Sequence, residues 1–278
     1  MSVLALSTGS LYNYGIARVF ELAARAGFDG VEVLIDERWD GRQPGYLRQL
    51  SERFELPIVA LHSPFVRRVA GWPDDELGRL RRTLELAQGL DVPVVVAHLP
   101  RRFDVAIVGW GLDAAGRAYL PIPFPRRTPY YHLLQNGLAD LEAQAGVKVG
   151  VENMPCKRYL WRDINRFWFN SPQAMERFSH VTLDTTHLGT WGLDPVAIYD
   201  QLRPRVVHVH LANFDGREHR LPPDGDLPLG DFLRRLARDD YAGAVSVEVS
   251  PDAAHAQDEQ ACVENLRRTV AFCREHLT

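Results

Sequence analysis

Short apolar runs alternate with longer amphipathic segments from one end of the chain to the other. The run at 3–7 is followed by Ile16–Ala26, where apolar residues recur at helical spacing until Gly27 ends the pattern. We predict eight strand–helix units of this kind. The predicted strands cover 3–7, 30–35, 57–61, 92–97, 147–151, 181–183, 206–209 and 244–249. The predicted helices cover 16–26, 45–54, 74–90, 130–145, 229–238 and 258–276, with two more beginning at Ser171-Pro172 and Asp194-Pro195.

The predicted strands are continuously apolar rather than alternating, which is typical of parallel strands covered on both faces. Eight such units indicate an α/β fold, the (β/α)8 TIM barrel, as a single domain over residues 1–278. A doubly wound open sheet is the alternative. It is disfavoured because no glycine-rich phosphate loop follows the first strand.

Two connections, after strands 4 and 5, are longer than the usual ~2–6 residues. In the first, over 100–129, the runs FDVAIVGW and RAYLPIPF flank LDAAG, which predicts a β-hairpin. The second, over 156–170, is rich in arginine and aromatic residues. Both follow strands that carry candidate site residues, so we expect them either to roof the site or to serve as oligomer contacts.

Composition and charge limit the partners and the cellular compartment that we expect for the chain. A net charge of −4 gives the chain no general attraction for nucleic acid or anionic membranes. The three cysteines are odd in number and not in CxxC spacing, which predicts a reducing compartment, the cytoplasm. We see no basic leader and no apolar run near ~20 residues, so we expect neither a signal peptide nor a membrane span.

Carboxylates and imidazoles stand where the apolar runs end. Glu152, Asp184, His210 and Glu248 end the fifth to eighth predicted strands. Because the carboxyl ends of barrel strands meet at one face, these side chains should lie together. Such a mixed oxygen and nitrogen set suits Mn²⁺, Mg²⁺, Co²⁺ or Zn²⁺. We therefore predict a divalent metal site.

Further polar residues surround this set. His62 and His98 end the third and fourth strands, where they would hold a second metal ion or hydrogen-bond a substrate. His208 shares the strand parity of His210 one layer deeper, and should brace the site. Glu32 also faces inward by pattern, and we interpret it as a buried structural carboxylate.

The motifs LHSPF, VVVAHLP, VENMP, LDTTHLG, HVHLAN and SVEVSP together resemble the xylose isomerase-like TIM-barrel superfamily. It includes ketose 3-epimerases, hydroxypyruvate isomerase, inosose dehydratase and endonuclease IV. The resemblance covers nearly the whole chain. Resemblance to the epimerases implies that Glu152, Asp184, His210 and Glu248 bind one metal ion, that the two glutamates move a proton, and that His187, Arg217 and His219 contact the substrate.

Endonuclease IV is the rival within this superfamily, since His62, His98, His187 and the four predicted ligands match its zinc ligands. The remaining Asp-x-His pair of that family falls on Arg217-Glu218-His219, where an arginine replaces the aspartate. A guanidinium does not ligate a cation. This departure disfavours a third zinc ion, and with it the cleavage of abasic-site DNA.

We therefore expect a metal-dependent isomerase or epimerase acting on a sugar or related polyol ketone through an enediolate. Glu152 and Glu248 would remove and return the proton. A dehydratase of the inosose type would share the first step, and a non-catalytic sugar-binding barrel is disfavoured by the intact glutamate pair. The expected partner is a small molecule, unphosphorylated, rather than nucleic acid; a homo-oligomer is compatible with the sequence.

Overall fold

The structure is a computed structural model that describes residues 2–65, 68–110, 116–123, 128–159 and 161–278. Eight parallel strands close into a barrel, which confirms the predicted (β/α)8 barrel. The barrel strands are β1 Val3–Ser7, β2 Gly30–Leu34, β3 Ile58–His62, β4 Val94–His98, β7 Lys148–Glu152, β10 Val181–Asp184, β11 Val206–Leu211 and β12 Ala244–Val247. Their order around the barrel is β1-β12-β11-β10-β7-β4-β3-β2.

The strand register sets the level of the polar strand ends. His98 of β4 pairs with Glu152 of β7, and Asp184 of β10 pairs with His210 of β11. Side chains of a strand alternate between the two faces, so residues paired in register share a face and a layer. His98 and Glu152 therefore share one face of the sheet side by side, and so do Asp184 and His210.

Helices cover the outside of the barrel, and several begin and end where the sequence predicts. Helix α1 spans Ile16–Ala26 and ends at Gly27, whose φ of 91° lies in the left-handed region that glycine tolerates. The side chain of Asp194 caps α8 by accepting from Val196 N. The other long helices are α2 Pro44–Phe54, α3 Glu76–Leu90, α8 Pro195–Leu202, α9 Leu229–Arg238 and α10 Glu259–His276.

Three helical regions differ from the prediction. The helix predicted over 130–145 is α4 Pro129–His132, a π-helical turn Leu133–Gly137 and α5 Leu138–Ala145. The helix that begins at Pro172, α6, stops at Met175. A buried helix that the sequence analysis missed, α7 Thr185–Thr190, follows β10 directly and carries His187.

Both long connections form hairpins on the side of the barrel where the strands end. The first pairs β5 Phe103–Trp110 with β6 Gly116–Pro123, which confirms the predicted hairpin; its LDAAG turn lies, apart from Gly116, outside the described residues. The second pairs β8 Cys156–Tyr159 with β9 Arg162–Asn165. Their bases are joined, since Arg102 N donates to Arg166 O at 2.7 Å and Trp168 N to Pro100 O at 2.9 Å.

Among the described residues, none of the helices is both long and apolar enough to cross a bilayer.

Candidate metal centre

Four polar side chains from four adjacent strands converge at the upper end of the barrel. His210 Nδ1 lies 2.9 Å from Glu248 Oε2, 3.2 Å from Glu152 Oε1 and 3.8 Å from Asp184 Oδ2. One ligand atom from each of the four lies within 4.8 Å of the others. This is the set that the sequence analysis predicted as metal ligands.

Glu152 is the centre of a wider group of imidazoles. Its Oε2 lies 3.0 Å from His98 Nε2 and 3.4 Å from His62 Nε2, while its Oε1 lies 3.3 Å from His187 Nδ1. The structure thus brings His62, His98 and His187 to the predicted ligands. They are the neighbours that a second metal ion or a substrate would contact.

Hydrogen bonds to backbone carbonyls fix the orientation of three histidines around the centre. His62 Nδ1 donates to Ser63 O at 2.8 Å, His187 Nδ1 to Asn153 O at 2.8 Å and His219 Nδ1 to Glu248 O at 2.9 Å. With Nδ1 acting as the donor, the neutral form of each ring has its lone pair on Nε2. The backbone therefore presents three Nε2 atoms for ligation or for hydrogen bonding to a substrate.

His210 has the opposite orientation, and Glu32 sets it. Glu32 Oε2 accepts from His210 Nε2 at 3.0 Å and from His208 Nε2 at 2.5 Å, and its Oε1 accepts from Ser7 Oγ at 3.2 Å. With Nε2 held on Glu32, Nδ1 of His210 is turned to the three carboxylates. Such a partner fixes the tautomer of a ligating histidine. Glu32 and His208 are thus buried supports, as their position in the sequence indicated.

Asn153 holds the main chain of Asp184. Its Oδ1 accepts from Asp184 N at 2.8 Å, and its Nδ2 donates to Asp184 O at 3.0 Å. Asp184 in turn caps α7, because Oδ1 accepts from His187 N at 2.8 Å. One carboxylate oxygen is used for the cap, and Oδ2 lies 3.3 Å from His187 Nδ1 and 3.8 Å from His210 Nδ1.

The charges of the centre are strongly coupled. Burial alone would raise the pKa of Glu248, but His210 outweighs it and lowers that pKa to about 2. Burial raises the pKa of Asp184 to about 6. Burial would lower the pKa of His187 and of His210, but the surrounding carboxylates raise that of His187 to about 9 and that of His210 well above its usual value. The carboxylates and histidines therefore share a small number of protons.

Two buried carboxylate oxygens show that the centre fits a cation. Oε2 of Glu152 and Oδ2 of Asp184 accept no hydrogen bond of good geometry. A buried anionic oxygen that accepts no well-aligned hydrogen bond is costly, and a divalent ion held by Glu152, Asp184, His210 and Glu248 would satisfy both oxygens. Three carboxylates and one imidazole suit Mn²⁺, Mg²⁺, Co²⁺ or Zn²⁺.

Metal binding should release protons. The surrounding carboxylates raise the pKa of His210 well above its usual value, which favours the protonated ring in the metal-free protein, and the ring must lose that proton to bind a cation. The apparent affinity for Mn²⁺ should rise about tenfold per pH unit per proton released, at every pH below the raised pKa of His210. Calorimetry in buffers of different ionisation enthalpy measures this release. An affinity that stays constant between pH 6.5 and 8 would contradict it.

The loop after β11 differs from the sequence-based expectation. The guanidinium of Arg217 is 70% exposed and folds back onto Asp215, with Nη2 2.6 Å from Oδ2. The structure does not bring Arg217 to the centre, so its contact with substrate stays a prediction. Glu218 instead places a carboxylate beside His187 and His219, and one ligand atom from each of these three lies within 4.8 Å of the others. The sequence analysis aligned the expected aspartate with position 217 and therefore did not predict the group of His187, Glu218 and His219.

His219 is held at the rim of the centre by its backbone. Its φ of 58° lies in the left-handed region, which non-glycine residues seldom adopt. Its amide donates to Thr186 Oγ1 at 3.0 Å, and its ring contacts that of His187 edge to face. These contacts place His219 beside His187, and both residues were predicted to contact the substrate.

The second hairpin reaches this rim. Lys157 of β8 forms an ion pair with Glu218, at 3.4 Å between Nζ and Oε1. Cys156 N donates to Thr190 Oγ1 of α7 at 2.8 Å. The hairpin therefore lies over the strand ends next to His187 and His219, where a cover for the site was predicted.

A sequence model of the family described as xylose isomerase-like TIM barrel matches residues 20–269. An uncharacterized protein of Mycobacterium tuberculosis is 28% identical, over 99% of this chain and 97% of its own. A 3-dehydroshikimate dehydratase of Pseudomonas putida is 24% identical, over 92% of this chain but 39% of the relative.

Solved structures share the fold across two kinds of chemistry. A D-allulose 3-epimerase from Methylomonas sp. in complex with D-allulose has a TM-score of 0.68 at 16% identity, covering 99% of this chain and 97% of its own. An AP endonuclease of family 2 from Brucella melitensis has a TM-score of 0.65 at 19% identity, covering 90% and 94%. The fold alone therefore does not choose between these activities.

Proposed function

The chain belongs to the xylose isomerase-like TIM barrel family, and on this premise we propose that it is a divalent-metal-dependent isomerase or epimerase of a sugar or related polyol ketone. The observation that carries the proposal is the pair of glutamates at His210. Glu152 and Glu248 come from strands with two others between them, yet both reach the same imidazole nitrogen, at 3.2 and 2.9 Å. A substrate at this point would lie between two carboxylates.

The two glutamates suit proton removal and return. Both are held as carboxylates, since His210 lowers the pKa of each against the opposing effect of burial. In the proposed reaction one carboxylate takes the proton from the carbon next to the substrate carbonyl, and the other returns a proton on the opposite face. A divalent ion, when bound, would polarise the carbonyl and the neighbouring hydroxyl and so acidify that C–H bond.

Other residues would bind and shield the substrate. Glu248 has a side chain that is 16% exposed, against 1% for Glu152, so the substrate would enter beside Glu248. His187 and His219 present Nε2 to a substrate hydroxyl, and the hairpin of Lys157 would limit access of water.

The three cysteines are free and buried, which fits the cytoplasm.

Two other reactions, dehydration and phosphodiester hydrolysis, would use a similar site. A dehydratase would remove the same proton and then expel a β-hydroxyl group, and the likeness to a 3-dehydroshikimate dehydratase supports keeping this reaction in the test. An endonuclease-like phosphodiesterase gains support from Glu218, because the group His187, Glu218 and His219 offers ligands for one more metal ion than a sugar isomerase requires.

The proposal predicts metal-dependent exchange of a carbon-bound proton. Proton NMR in D₂O, with the Mn²⁺-loaded protein, should show loss of the signal from the C–H next to the carbonyl of D-fructose, D-allulose or an inosose. Because the exchange needs the cation, a chelator should abolish it and Mn²⁺ should restore it. Incision of a duplex with one abasic site is measured in parallel.

Glu218→Gln separates the two candidate functions. Under the sugar proposal this variant keeps exchange within about twofold, because Glu218 lies outside the four-residue ligand set. Under the endonuclease alternative it loses incision together with one bound metal ion. Efficient metal-dependent incision without any exchange would reverse the ranking.

A further inference from the structure

We propose that Phe65 is a substrate-contacting residue: its ring forms an apolar platform for the C–H face of a cyclic polyol or sugar ring. The proposal rests on the function proposed above and deepens it by naming the surface of the substrate that is recognised. It starts from an aromatic side chain that contacts two histidines of the metal centre and is nevertheless 53% exposed.

The ring of Phe65 is held against the centre by its neighbours. It stacks on His98, with 5.4 Å between ring centroids and 15° between planes. It meets His62 edge to face, at 6.0 Å and 79°. Both histidines lie next to Glu152 Oε2, at 3.0 and 3.4 Å. His62 and His98 therefore lie between the ring of Phe65 and Glu152, the glutamate that we propose as an acid–base group.

The backbone before Phe65 is well anchored. Ser63 N donates to Val96 O at 2.9 Å, and His62 is tied to Ser63 O through its Nδ1. Pro64 is buried and restricts the residue that precedes it. The backbone that leads from the end of β3 to Phe65 is thus tied to β4 through Ser63.

The exposure of Phe65 is part of a pattern on the molecule. The exposed large apolar side chains of the described residues lie in the connections after β1, β2, β3, β4 and β7 or in the first turn of the following helix: Tyr12, Trp39, Tyr46, Phe65, Leu120, Ile122 and Trp161. A cleft that binds small molecules combines apolar and aromatic walls with a few polar groups. Phe65 is the member of this set that contacts histidines of the centre.

The neighbouring groups indicate which surface Phe65 would bind. Carboxylates and imidazoles on the side of Glu152 and Glu248 can bind hydroxyl groups and a carbonyl, whereas a phenyl ring cannot. Sugar and cyclitol rings carry C–H bonds on faces free of hydroxyl groups, and these faces pack on aromatic rings because both surfaces are apolar. Phe65 would therefore select substrates that direct such a face toward His98 while their carbonyl lies at the metal centre.

Three variants test the platform: Phe65→Tyr keeps the ring, Phe65→Leu keeps apolar bulk without an aromatic face, and Phe65→Ala removes both. Binding of D-fructose, D-allulose and an inosose to the Mn²⁺-loaded protein is measured by calorimetry. Saturation transfer from aromatic protons to ligand C–H protons is measured by NMR. We expect wild type and Phe65→Tyr to show this transfer. Phe65→Leu should lose most of the saturation transfer. In steady-state kinetics its KM should rise about threefold to tenfold while its kcat stays within about twofold of wild type, and Phe65→Ala should raise KM further.

The outcomes distinguish the platform from a merely structural role. Unchanged KM and unchanged transfer in Phe65→Leu would overturn the proposal. A fall in kcat and in bound Mn²⁺ at constant KM would also overturn it, since Phe65 would then only position His98. Wild-type protein that binds a probe with aromatic transfer but exchanges no proton would refute the proposed reaction and leave the platform standing. If wild type binds none of the probes, both proposals fail.

Discussion

Replacement of Glu152 by glutamine is expected to remove most of the tightly bound metal while leaving the barrel folded. Glu152 is the residue that contacts His62, His98, His187 and His210. An amide has the shape of a carboxylate but no charge, so it would ligate a cation weakly and leave the surrounding imidazoles without their counter-ion. Metal affinity should fall by more than the ~10–100-fold typical of losing a supporting residue.

Metal content after dialysis and the far-ultraviolet circular dichroism spectrum measure the two halves of this expectation. Glu142→Gln is the matched control, since Glu142 is also buried and accepts from Val149 N at 2.7 Å near the opposite end of the same strand. It should keep full metal occupancy. A Glu152→Gln protein with wild-type occupancy and full turnover would contradict the assigned role.

Replacement of Glu248 by glutamine should lower kcat by about 10²–10⁴-fold, the usual contribution of a general acid or base. The Glu248 carboxylate forms an ion pair with one imidazole, that of His210, whereas Glu152 contacts four, so part of the metal affinity should survive replacement of Glu248. Because the substrate is bound by other groups as well, KM should change less than kcat. The loss would therefore appear in the reaction rather than in binding.

Steady-state kinetics at saturating Mn²⁺, with occupancy measured on the same sample, separates loss of the acid–base group from loss of metal. Glu264→Gln, an exposed glutamate of α10, serves as the control for the substitution itself and should match wild type. If Glu248→Gln kept more than about half of the wild-type kcat at full occupancy, another residue would have to carry the proton.

The sequence by itself determined the architecture, because the signals for a barrel are local. Strands covered on both faces are apolar along most of their length, so β1 and β4 can be recognised in the sequence as runs of valine, leucine and alanine. Helix ends depend on neighbours in the chain. Gly27 and Asp194 could therefore be assigned their capping roles before the structure was known.

Local signals did not determine the irregular helices. The periodicity over 130–145 is continuous, but Leu133–Gly137 adopts a π-helical turn, which the apolar spacing does not encode. Helix α7 is buried and short, and it begins directly after a residue already assigned to the metal centre. Its cap is the carboxylate of Asp184, which serves the helix with one oxygen and faces His210 with the other.

The convergence of the candidate residues was predictable from the sequence, but the contacts among them were not. Parallel strands bring their carboxyl ends to one face, so a strand-end glutamate such as Glu152 could be placed there from sequence alone. Only the tertiary structure decided that Glu32 turns His210, that Glu218 rather than Arg217 faces His187, and that Phe65 lies on His98. These contacts join residues far apart in the chain. They depend on side-chain rotamers and on loop conformation, which no local pattern of hydrophobic and polar residues specifies.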